Sequence, residues 1–234
     1  MRSYVLVHGA WSGAFRWKSI RPLLWAAGHE AYSPSLTGLG DRAHLASPET
    51  SLDTHVDDVV NLIKYEDLHD IVLVGHSYGG MVVTGVAGAV PERITHLIYV
   101  DAFLPKDGQS CYDLGGGGGP PRDGSWLHPV PGPAGSGAGA YPQTQSAAIR
   151  SPQPVKTLSG KVSLPRPLDE LPFSRTYIKA ASEGRPTKAP RGNFWDAADM
   201  AKKSAKWRYL EMPYGHNIPW EHPQELATIL LEYA

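Results

Sequence analysis

The chain has 234 residues, of which 25 are glycine and 21 proline: too many breakers for a long helical bundle, and without the Gly-X-Y period of collagen. Twenty-two Lys and Arg against 23 Asp and Glu leave a net charge of -1, with no basic stripe to ask for nucleic acid and no polybasic segment to ask for a membrane. A single cysteine, Cys111, excludes a disulfide framework and favours a cytoplasmic location; no apolar run approaches the roughly 20 residues that span a bilayer, and no signal peptide is expected before the first strand.

In chain order, Ser3–Val7 (SYVLV) is a short, β-branched apolar run that stops at His8-Gly9 and reads as a strand. Residues 15–27 place Trp17, Ile20, Leu23 and Leu24 at helical spacing and end at Gly28, a helix stop. Residues 29–33 read as a strand closed by Pro34, and 39–50 as loop. An amphipathic helix follows over 51–68, with Leu52, Val56, Val59, Val60 and Ile63 on one side and acids early. Residues 71–75 form a continuous apolar strand, 79–90 a helix of small residues, and 94–100 another strand. After Pro105 this alternation gives way to a stretch, 107–172, that holds half of all the glycine and proline. It returns as a strand over 173–180, a helix over 193–205, a strand over 207–212 and a helix over 223–233.

Continuous apolar strands alternating with helices predict an α/β fold: a mostly parallel sheet of about six strands with helices on both faces. The simplest organisation is one α/β core made of 1–105 and 173–234, interrupted by a Gly/Pro-rich insertion over 106–172. The glycine run 115–119 and the Pro/Gly tract through Gly139 are expected to be loop, irregular and mobile.

The strongest chemical signal is Gly75-His76-Ser77-Tyr78-Gly79-Gly80. G-x-S-x-G alone arises often by chance, but here it directly follows an apolar strand and directly opens a helix. That strand–turn–helix setting puts a serine hydroxyl on a sharp, exposed turn. A hydroxyl needs a base within hydrogen-bond reach, and of ten histidines His216 is best placed, just past the last strand, where open parallel sheets gather their catalytic groups. His222 lies further on, before the last helix, where a surface or capping role is expected. His8 and His76 sit at strand ends beside tight turns and read as structural. His29, His44, His55, His69, His96 and His128 read as solvent-exposed. No H-x-H, H-E-x-x-H or C-x-x-C spacing occurs, so neither a metal nor another cofactor is expected. His8-Gly9-Ala10-Trp11 can aim a backbone N–H at a developing oxyanion, with the amide of Tyr78 as second donor.

The segments Val5-Leu6-Val7-His8-Gly9-Ala10-Trp11, Ser35-Leu36-Thr37-Gly38-Leu39-Gly40, Val74 to Gly80 and Gly215-His216 together resemble the α/β-hydrolase superfamily, in particular its small branch of plant methyl esterases, hydroxynitrile lyases and related bacterial esterases and carbamate hydrolases. The resemblance implies Ser77 as nucleophile, His216 as base, the amides of Ala10 and Tyr78 as oxyanion hole, and the insertion as a cap. Two departures stand out. Lyases of that branch carry Thr and Lys where this chain has Gly9 and Asn217, which favours hydrolysis. The acid usually follows the strand matching 176–180, but the chain there reads Ala181-Ser182-Glu183-Gly184. Glu183 and Asp101, which ends the strand Ile94–Val100, are the candidates, and a Ser–His dyad is the third arrangement. Trp11, Phe103, Tyr78 and Trp126 are candidate pocket residues. The expected partner is a small ester-like molecule, with a homodimer left open. A lyase on the same scaffold and a binding protein with a vestigial site are the competing functions.

Overall fold

The computed structural model describes residues 1–131, 150–182, 184 and 193–234. In chain order the elements are β1 (Ser3–Val7), α1 (Arg21–Ala26), β2 (Glu30–Tyr32), α2 (Leu52–Tyr65), β3 (Ile71–His76), α3 (Gly79–Ala89), β4 (Ile94–Val100), β5 (Leu127–His128), β6 (Gln153–Pro154), α4 (Val155–Ser159), β7 (Ser174–Ala180), α5 (Phe194–Lys203), β8 (Arg208–Met212), α6 (Ile218–Glu221) and α7 (Pro223–Leu231). β2, β1, β3, β4, β7 and β8 form, in that order, one sheet in which every pairing is parallel. β5 and β6 make a separate two-residue antiparallel ladder.

Side chains alternate across a strand, so a continuous apolar run feeds two cores at once. Val5, Val7 and Leu73 pack with α2 and α3 on one face, while Tyr4, Leu6, Val72, Val74, Ile98 and Val100 pack with Leu24 of α1 and Leu226 and Leu230 of α7 on the other. The chain first builds outward from β1 to β2, then returns to place β3 on the other side of β1. The strand order therefore reverses between β1 and β3, and such a reversal opens a crevice beyond the carboxyl ends of the strands.

The helix expected over 15–27 is two pieces, a 3-10 turn Ala14–Trp17 and then α1. Pro22 explains the break: it lacks an N–H, which suits the first turn of a new helix and not the middle of a long one. α2 begins one residue after Ser51, whose side chain accepts from the Thr54 amide while Thr54 Oγ1 accepts from the Ser51 amide. α5 is capped by Asn193, which accepts from the Trp195 and Asp196 amides. Within 106–172 the described residues are partly regular. Cys111, Leu114, Leu158, Val162, Leu164, Leu168 and Leu171 are buried in the same apolar cluster as α2 and α3. Part of the glycine run is a 3-10 turn, Gly116–Gly118. The rest of the expected Pro/Gly loop, through Gly139, lies largely in 132–149, outside the described residues. No described helix is long and apolar enough to cross a membrane.

Candidate active site

Five non-glycine residues among those described have a left-handed backbone, and three of them stand at the carboxyl ends of neighbouring strands: Trp11 after β1 (φ 54°), Ser77 after β3 (φ 56°) and Asp101 after β4 (φ 42°). L-residues with positive φ are strained, and strain of this kind persists only where the surroundings hold it in place.

What holds Ser77 is explicit. Its amide donates to Val100 O (3.3 Å), and its carbonyl accepts from the amides of Gly80 (3.0 Å) and Phe103 (3.1 Å). The bend is so tight that a Cβ on Gly80 would lie 2.0 Å from Phe103 O. α3 starts two residues after Ser77, so the serine stands directly between the end of β3 and the helix. No hydrogen bond joins Ser77 Oγ to His216.

His216 is fixed on three sides. Its Nδ1 lies 2.6 Å from Asp101 Oδ2, so Nδ1–H donates to the carboxylate and Nε2 is left as the basic nitrogen. Its ring stacks on Phe194 (centroids 5.0 Å, 7° between planes) and lies 4.7 Å from the ring of His76. His76 Nε2 donates to the His216 carbonyl (2.8 Å). Asp101 is 2% exposed; burial alone would raise its carboxyl, but the hydrogen bond and charge of His216, reinforced by Lys179, outweigh it and hold the group below the usual carboxylate range. Its other oxygen, Oδ1, accepts from Lys179 Nζ (2.6 Å) and from the Ala180 amide (3.3 Å).

The loop after β1 is tied from two directions. His8 Nδ1–H donates to Gly9 O (2.8 Å) and its Nε2 accepts from the Leu36 amide (3.1 Å), which sets its tautomer. The Trp11 amide donates to Oε1 of Gln153 (2.8 Å), a fully buried residue of β6 whose Nε2 donates to Thr157 Oγ1 (2.8 Å). The Trp11 indole packs edge-on against His128. Between these tethers the Ala10 amide has no acceptor among the described residues, and neither has the Tyr78 amide. Gly9 faces the serine: a Cβ there would lie 2.9 Å from Ser77 Cβ and 3.4 Å from Oγ.

The remaining expected residues divide. Phe103 packs on Phe194, 4.7 Å between centroids, and so belongs to the wall behind His216. The Tyr78 side chain is corrected from the sequence expectation: it is 1% exposed, with its hydroxyl between His55 Nδ1 (2.9 Å) and Thr157 O (3.2 Å), so only its amide is turned to the site. Trp126 is 40% exposed and has no ring contact with the site among the described residues. Glu183 lies outside the described residues. His55, expected at the surface, is fully buried.

Residues 4–229 match the Alpha/beta hydrolase family. The chain belongs to the alpha/beta hydrolase family. It is similar to the "Carbendazim hydrolyzing esterase" of Nocardioides sp. (strain SG-4G), 47% identical over 114 residues that cover 49% of this chain and 47% of that protein. It is also similar to the "Alpha-hydroxynitrile lyase" of Arabidopsis thaliana, 34% identical over 104 residues covering 44% of this chain and 40% of the relative. The matched stretches thus span just under half of these relatives' length. Among solved structures, an extracellular alpha/beta-hydrolase from a Paenibacillus species superposes with a TM-score of 0.79 at 25% identity, over 100% of this chain and 99% of that one.

Around this site the sequence reading missed Lys179, Phe194 and Gln153. Lys179 carried a readable signal, a lone charge inside the apolar strand run Thr176 to Ala180. Phe194 and Gln153 carried none, because each is set beside the site by chain that lies far off in sequence.

Three buried histidines give the chain an acid-sensitive fold. Burial pushes His8 and His55 down to about 4 and, with the charge of His216, His76 down to about 3. Each is neutral in the folded chain and protonates near 6.5 in the unfolded one, so the unfolded state takes up more protons and stability falls as pH falls from 6.5 toward 4. Each contributes up to about 2 kcal/mol of loss at pH 5. Thermal unfolding is expected to show Tm about 10–20 °C lower at pH 5 than at pH 7.5; an unchanged Tm would show that these histidines are hydrated in the folded protein.

Proposed function

We propose that this chain is a serine hydrolase that cleaves small carboxylic esters or related acyl compounds, carbamates and amides among them, through an acyl-enzyme on Ser77. The observation that carries the reading is the 2.6 Å contact between His216 Nδ1 and Asp101 Oδ2, at the strand end next to the strained Ser77 turn. A histidine oriented by a buried carboxylate beside a serine on such a turn is the arrangement that makes a hydroxyl nucleophilic.

In this reading Asp101 holds His216 with Nε2 free. As substrate enters, Nε2 takes the Ser77 proton while Oγ attacks the acyl carbon; contacts of this kind tighten only in the substrate complex. The amides of Ala10 and Tyr78 stabilise the oxyanion. His216 then passes its proton to the leaving group, and water repeats the cycle to free the acid. The insertion 106–172, whose Gln153 and His128 reach Trp11, serves as the cap that shapes the acyl pocket with Trp11, Phe103 and Trp126. The proposal carries a cytosolic location, since one cysteine leaves no disulfide for an oxidising compartment to maintain.

Gly9 favours hydrolysis over cyanohydrin cleavage. A threonine there, as in the related lyases, would press its Cβ against Ser77 in this backbone. The name of the Nocardioides relative makes carbendazim a rational test substrate beside p-nitrophenyl acetate. Purified protein is expected to release a burst of p-nitrophenol stoichiometric with enzyme and then turn over. Release of cyanide from mandelonitrile without ester turnover would favour the lyase, and neither activity would favour a binding protein.

A further inference from the structure

β7 lies beside β4 in the sheet, and its Lys179 is 4% exposed. Burying an ammonium is costly unless it is paired and hydrogen-bonded. Lys179 donates to Asp101 Oδ1 (2.6 Å) and to Ala180 O (2.6 Å), and its ammonium sits 4.3 Å from the centroid of the Trp195 ring. The Asp101 carboxylate is thereby divided, with Oδ1 facing Lys179 and the Ala180 amide and Oδ2 facing His216 alone.

We propose that Lys179 is a positioning residue that acts through Asp101. It fixes the rotation of the carboxylate so that Oδ2 meets His216, and it offsets part of the carboxylate's charge. This rests on the reading of Ser77, His216 and Asp101 as the hydrolytic machinery. The other groups around His216 do not substitute for it. From β3 comes His76, which burial keeps neutral; from α5 comes Phe194, which carries no charge; and Arg16, which donates to Ser12 Oγ, bears on the charge of His76. A purely structural ion pair would be replaceable by apolar side chains without consequence for chemistry. This one shares its carboxylate with the base.

The test is the pH profile of kcat/KM for p-nitrophenyl acetate in wild type, Lys179→Met, Lys179→Gln, Lys179→Arg, Asp101→Asn and the Asp101→Asn/Lys179→Met pair, with fluorophosphonate labelling of each. Removing a nearby positive charge favours the imidazolium, so Lys179→Met and Lys179→Gln are expected to move the acid limb up by about one pH unit, with KM unchanged and the plateau lowered less than about tenfold. Lys179→Arg restores the limb. In the Asp101→Asn background Lys179→Met causes no further loss, and this comparison stands even where Lys179→Met and Lys179→Gln alone do not fold. An unshifted limb in folded Lys179→Met or Lys179→Gln, or a further loss in the Asp101→Asn background, overturns the proposal. Absence of Ser77 labelling in the wild type overturns the hydrolytic reading itself, and this inference with it.

Discussion

Ser77→Ala and His216→Ala are each expected to lower kcat on p-nitrophenyl acetate by about a million-fold, and the double variant by scarcely more. The reason is that nucleophile and base act as one unit. Without the serine there is no acyl acceptor, and without the imidazole nothing takes the proton from a hydroxyl that is otherwise neutral at working pH. A residual rate above that of water survives in each, because the Ala10 and Tyr78 amides still bind the oxyanion. Both variants should keep the wild-type circular dichroism, since Ser77 Oγ carries no structural hydrogen bond and the His216 ring lies at the end of the sheet rather than in either core. Losses that add up across the double variant would show two residues working separately and would count against a shared proton transfer.

The second large effect belongs to the acid. Asp101→Asn is expected to lower kcat by about ten-thousand-fold, whereas Glu183→Gln changes it less than threefold. An amide at position 101 can present its NH2 to His216 Nδ1, which leaves the proton on Nε2 and removes the base. It also leaves Lys179 buried without its carboxylate, so stability should drop by about 3 kcal/mol, a fall in Tm of roughly 10 °C. The two readouts separate the roles. A lower Tm with full activity would make Asp101 an architectural residue and return Glu183 or a Ser–His dyad to consideration. A ten-thousand-fold loss in Glu183→Gln would place the acid after β7.

Much of this arrangement was legible in the chain. The Ser77 turn could be read because its signal is local: an apolar strand, then glycine at 75 and 79, then a helix of small residues. His216 could be read from its place after the last strand. Asp101 could only be one alternative among three, because what brings it to His216 is the parallel pairing of β4 with β7 and the return of the loop after β8, a contact across 115 positions. The same pairing brings Lys179 to Asp101 across 78 positions. His55 is a different kind of miss. It stands three residues after Leu52 and four before Val59, on the apolar stripe of α2, so the helical period already placed it inward. The break at Pro22 was likewise local and readable. Gln153 was not, since the insertion that carries it has no period from which burial could be inferred.

The central claim is that Ser77 is an activated nucleophile, and covalent trapping tests it most directly. Wild-type protein treated with a fluorophosphonate at pH 8 should gain one adduct, mapped by peptide mass spectrometry to Ser77. Labelling should be lost in Ser77→Ala and at least a thousandfold slower in His216→Ala and Asp101→Asn. A folded wild type that stays unlabelled, or that is labelled elsewhere while Ser77 is untouched, would contradict the account.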